Sequence, residues 1–177
     1  GLFFFLCLYG VVRASDARRA WPWAVVAVGA CVLGLGCKEV MVAAPVVALL
    51  LDRALLASSW AELFRRRGVV HVLLFAAAAA LLAAMTSQMS GDASAGFGCV
   101  VVTPVEYLRT QPAVILHYLR LAFWPRPLCL DYAWPVADAP REIYPAAAAV
   151  LAMLVASVAA FRYSAGLGFL GLSFFIV

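Results

Sequence analysis

The sequence predicts an all-α fold, a polytopic bundle of transmembrane helices with an amphipathic helix in an outer loop. Three observations predict it. Of 177 residues, 67% are hydrophobic and only 12% are charged, where a soluble domain carries about 45–50% and about 25%. Mean hydropathy is +1.01. The apolar residues also come in runs broken by short charged segments, the pattern of a chain that buries its surface in lipid.

Residues 1–12 read as the end of a span, because "GLFFFLCLYGVV" is too short to cross and no initiator Met precedes it. Residues 22–37, 40–56, 69–87 and 145–161 read as spans, and residues 166–177 as the start of one. Several fall short of the ~20 residues that a perpendicular helix needs, so their flanks must add length. All belong to one multi-spanning domain over 1–177, expected to be an internal piece of a longer chain. Runs such as "AAAAALLAA" suit close helix packing. No internal repeat of 20–50 residues occurs.

Arginine bias sets the orientation. Arg13, Arg18 and Arg19, then Arg53 and Arg65 to Arg67, then Arg162 mark three cytoplasmic loops. The segment 88–144 then forms the outer loop, and "KE" at Lys38–Glu39 lies at an outer hairpin. Residues 33–53 read "LGLGCKEVMVAAPVVALLLDR". A charge at a helix centre costs about 2.5–3.5 kcal/mol, so this pair needs each other, the headgroup plane, or a wet ligand-filled cavity.

The net charge of +4 comes without a basic face or groove-reading motif, which excludes nucleic acid as a partner. Cysteines 7, 31, 37, 99 and 129 show no metal-ligand spacing. Three lie in apolar runs; Cys99 and Cys129 share the outer loop, and free thiols are favoured over a disulfide.

Within the outer loop, Thr103, Pro104 and Glu106 spell a capping box with proline at the first helical position. Pro112 is expected to break or restart the helix. Ile115, Leu116, Leu119, Ala122 and Phe123 form an apolar stripe, with Glu106, Arg109, His117 and Arg120 near the other face. This describes a helix lying in the outer interface beside Tyr118 and Trp124. Two arginines on one face also suit a phosphate. The loop "PRPLCLDYAWP" displays Asp131 and Tyr132 between prolines.

These stretches carry a resemblance. "LGLGCKEVMVAAPVVALLLDR" resembles the L-[SC]-K-E-x5-P-x5-6-D hairpin of polyprenyl-phosphate-dependent membrane glycosyltransferases of the C-type fold. "YLRTQPAVILHYLRLAFWPRPLCLDYAWPV" is similar to the outer segment of their branch that precedes tetratricopeptide repeats, the protein O-mannosyltransferases. The resemblance implies a cavity open to the outer leaflet of the bacterial inner membrane or the endoplasmic reticulum, with the site on the periplasmic or lumenal face. A mannose-like sugar on a polyprenyl-phosphate carrier would pass to a protein hydroxyl, in contact with membrane lipid. Only "KE" and "LDY" carry over, onto Lys38, Glu39, Asp131 and Tyr132; Lys38, with Arg109 and Arg120 by charge and expected location, would hold the donor phosphate. Glu39 would orient Lys38 or hold a divalent metal, the one cofactor implied. Tyr132 would stack on sugar or acceptor, and Asp131 is the candidate base within 1–177, although the family's catalytic carboxylate is expected upstream. The full-length protein would be the enzyme and this stretch alone inactive. The alternatives are a non-catalytic membrane scaffold and a transporter or flippase for a lipid-linked or anionic solute.

Overall fold

The computed structural model describes residues 1–88, 103–126, 128–129, 134–137 and 139–177, with the side chains of Glu39 and of residues 85–88 outside that description. Every regular element among the described residues is helical. In chain order they are α1 (Leu2–Asp16), α2 (Trp21–Leu35), a 3-10 turn (Glu39–Ala43), α3 (Ala44–Leu51), a π turn (Asp52–Leu56), α4 (Trp60–Gln88), α5 (Pro104–Phe123), α6 (Pro140–Ala160) and α7 (Ala165–Ile176). The chain divides into two compact units. Unit 1 is Gly1–Ser90 with Ser157–Val177, and unit 2 is Gly91–Ala156.

Unit 1 is organised around the α1–α2 pair, whose buried faces use small residues. On α1 these are Cys7, Gly10, Val11 and Ala14; on α2 they are Ala27, Ala30, Cys31 and Gly34. Both sets recur at i, i+3, i+4 and i+7, one side of a helix, and small residues there let two backbones approach closely. The approach is closest at Gly10, where an added Cβ would stand 2.8 Å from the backbone nitrogen of Ala27. Met41, Ala44, Ala48 and Leu74 extend the same core into the 3-10 turn, α3 and α4. α7 packs on α3 and on the π turn.

The stretch 40–56 is not one α-helix. Lys38 is extended, with φ −159° and ψ 136°, and the 3-10 turn follows it. Pro45 has no N–H to return to Met41, so the α-helical ladder starts late. At the other end Ala57 N–H donates to the carbonyl of Asp52 at 2.8 Å, closing the wider π turn. α4 starts at Trp60, well before residue 69, and the cause is a cap. Ser59 Oγ accepts from Glu62 N–H at 3.2 Å, while the Glu62 carboxylate accepts from the Ser58 N–H and hydroxyl. Arg65, Arg66 and Arg67 therefore sit inside a helix rather than in a loop.

Two helices, over Trp60–Ala84 and Pro140–Ala160, are long and apolar enough to cross a membrane. Most of the first apolar window and all of the second stay unburied within the fold, unlike the central helix of a soluble core.

In unit 2, α5 begins at the expected capping box. The Glu106 carboxylate accepts from the Thr103 N–H and hydroxyl, both at 2.7 Å, and Glu106 N–H donates back to Thr103 Oγ1. The helix then runs through Pro112 without a break. Proline there costs only the bond to the Leu108 carbonyl, and Leu108 is exposed. The residues α5 buries are Thr110 and Leu121; the stripe of Ile115, Leu116, Leu119, Ala122 and Phe123 is half-buried to fully exposed.

Candidate functional site

Lys38 lies between α2 and the 3-10 turn, is exposed, and makes no ion pair among the described residues. The hairpin end thus presents an ammonium group that no described carboxylate neutralises. The Glu39 side chain lies outside the described residues, as do Asp131 and Tyr132. Arg109 and Arg120 are exposed on α5 and share one edge of it. Eleven residues of helix set them about 20° apart around the axis but about 16 Å apart along it. Their points of attachment are thus about three turns apart on the same side of the helix. Lys38 belongs to unit 1 and both arginines to unit 2.

Three other arginines of the expected cytoplasmic loops are engaged. The Arg13 guanidinium lies over the Trp23 ring at 5.1 Å, and that of Arg53 over Trp60 at 5.8 Å. Arg66 pairs with Glu62 one turn earlier.

A second cluster in unit 1 was not expected from the sequence. Asp52 opens the π turn and is 0% exposed; Arg67 and His71, on α4, are 7% and 2% exposed. Arg67 forks onto the carboxylate, Nε to Oδ2 at 2.7 Å and Nη2 to Oδ1 at 2.6 Å. His71 Nε2 lies 2.8 Å from Oδ2. A carboxylate that accepts a guanidinium fork is ionised, so His71 donates from Nε2. Its Nδ1 is buried and without a hydrogen-bond partner among the described residues. Chemically this is a buried carboxylate held by a guanidinium fork and by an imidazole.

Local sequence carried a partial signal for it. Arg67 and His71 are i and i+4 on one face, and Ser59 with Glu62 spells the cap that puts both in one helix. Asp52 lies near the end of the Leu33–Arg53 stretch, yet nothing local pairs it with residues 15 and 19 positions later.

In unit 2, the segment Trp134–Ala137 is tied to α5 by the Ala137 N–H, which donates to Thr110 Oγ1 at 3.1 Å. The His117 and Trp134 rings stand 4.9 Å apart. Ala113, Trp134, Pro135, Ala137 and Glu142 line an open pocket of about 470 Å³. Among the described residues no three His, Cys, Asp or Glu side chains gather as a metal site. Comparisons with protein-family models, with curated proteins and with solved structures find no match for this chain.

Proposed function

We propose that this chain is part of a membrane glycosyltransferase of the C-type fold that moves a mannose-like sugar from a polyprenyl-phosphate carrier to a protein hydroxyl. The observation that carries the reading is Lys38, an exposed ammonium without an ion pair among the described residues, at the turn between two apolar helices. When the sugar leaves, negative charge develops on the carrier phosphate. A fixed cation at the headgroup plane stabilises that charge more than the ground state. The two long, unburied apolar helices support placing the chain in a membrane, where such a carrier resides.

The test is transfer from a lipid-linked sugar by the full-length protein. Lys38→Ala is expected to lower turnover about 10²–10³-fold, the effect of removing one donor to a developing oxyanion. Arg65→Ala is expected to leave it unchanged. Wild-type turnover by a folded Lys38→Ala protein would remove Lys38 from the chemistry.

A second reading, a carrier for a lipid-linked or anionic solute, is favoured by one observation. Arg67 and His71 lie within an apolar helix long enough to span, and ionisable groups there often mark a translocation path. Uptake of a lipid-linked sugar by proteoliposomes, abolished by His71→Gln with transfer absent, would select that reading.

A further inference from the structure

We infer that α5 is a lipid-binding helix lying in the plane of the membrane surface, with Arg109 and Arg120 each holding a separate phospholipid phosphate. The helix buries Thr110 and Leu121 on one side. On the opposite side Val105, Leu108, Pro112, Ile115, Leu119 and Phe123 fall within an arc of about 80°. This side is apolar yet unfilled: Leu108 is 70% exposed and Phe123 is 82% exposed. Ile115 and Leu119, at its middle, are half-buried.

Both borders of that arc carry interfacial chemistry. Arg109 and Arg120 flank one edge, exposed and without an ion pair among the described residues. Tyr107 and Tyr118 flank the other edge and are exposed. Apolar side chains between arginines and tyrosines match the acyl boundary, the phosphates and the headgroup level of a bilayer. The spacing of about 16 Å between the arginines fits two headgroups and cannot fit one. Position along the chain agrees: α6, apolar enough to span and with no buried part in its apolar window, starts soon after α5 ends. Charge complementarity therefore selects a phospholipid surface as the occupant, not a protein partner or a second copy.

The test uses the whole chain in nanodiscs, with Cys37, Cys99 and Cys129 replaced by serine and the buried Cys7 and Cys31 kept. Spin labels go singly at Leu108, Ala113, Leu119 and Phe123, and only labelled chains with wild-type helix content are read. The discs hold phosphatidylcholine alone or with one third phosphatidylglycerol. Labels at 108, 119 and 123 are expected to collide with oxygen over an aqueous nickel chelate, at depths of about 5–10 Å. Ala113, which lines the open pocket, should favour the nickel chelate. Phosphatidylglycerol should deepen the three lipid-facing labels, and Arg109→Gln with Arg120→Gln should abolish that dependence. Nickel access at 108 and 123 in both compositions would overturn the proposal, leaving a protein partner or a second copy as the occupant. So would a depth profile peaking at the bilayer centre near Ala113, which would make α5 a span. Persistence of the phosphatidylglycerol effect in the double variant would overturn the role of the arginines.

Discussion

Unit 1 and unit 2 each place arginines in an apolar chain, and they place them differently. In unit 1 Arg67 is drawn inside and forked onto Asp52, 15 residues away in sequence, with His71 closing the cluster. In unit 2 Arg109 and Arg120 stay outside, and the polar bonding that starts α5 is local, Thr103 with Glu106. The difference teaches what an arginine needs in such a chain. Burial is tolerated only where a full set of partners is built around it. Without such partners the guanidinium stays at the surface, and the apolar stem beside it can lie along lipid.

The largest expected effect tests whether unit 1 depends on its buried cluster as heavily as the burial implies. Asp52→Ala leaves the Arg67 guanidinium buried without its counter-charge, which costs about 3–5 kcal/mol. Replacing both residues, Asp52→Leu with Arg67→Met, removes the charge along with its partner and should recover most of that loss. Unfolding followed by circular dichroism in detergent reads both. Arg109→Gln, by contrast, should move stability by no more than about 0.5 kcal/mol. If Asp52→Ala is as mild as Arg109→Gln, the two regions do not differ in the way described.

A smaller effect sharpens the comparison within unit 1, where tight backbone approach accompanies the buried charge. Gly10→Ala would put its methyl 2.8 Å from the backbone nitrogen of Ala27, and the two helices must part. Overpacking of this kind costs about 1–3 kcal/mol. Gly29, on α2, has nothing within 4 Å of an added Cβ. Gly29→Ala should therefore stabilise, by up to about 1 kcal/mol of helix propensity. Equal and small effects from the two alanines would mean that α1 and α2 are not held at this distance.

The same contrast decides what could be read from sequence. The capping box at Thr103 and Glu106 was legible because all its bonds lie within four residues. The helical class was legible because it follows from composition and run length. The cluster of Asp52, Arg67 and His71 was not, because its meaning depends on how α3, the π turn and α4 pack. The start of α4 was missed for a different reason. Periodicity begins at the apolar run near Val69, whereas Ser59 and Glu62 set the boundary by capping. Pro112 misled as well: proline removes one helical bond, and α5 continues through that loss. The neighbours of Lys38 place it at a hairpin, and the structure adds that it is exposed.

The smallest expected effect lies in unit 2 and depends on pH. The Thr103 backbone N–H, then its hydroxyl, hold the Glu106 carboxyl below the usual carboxylate range, with Arg109 adding a lesser attraction. Because the folded value is the lower one, the unfolded chain binds more protons as pH falls. The cap contributes fully above the ordinary glutamate value of about 4.3, and its contribution disappears as pH drops through the lower folded value. The amide of Thr103 is the reporter, since it donates to the carboxylate at 2.7 Å. Its chemical shift and exchange protection should change at a pH below the ordinary glutamate range in the wild-type chain. In Glu106→Gln the amide should no longer titrate, while the rest of α5 stays helical, because the packing of its buried Thr110 and Leu121 does not depend on the exposed cap. A Thr103 amide that ignores pH in the wild-type chain would mean that the box is not formed. A collapse of all of α5 at the same pH would mean that unit 2, like unit 1, hangs on one charged contact, and the comparison between the two would fail.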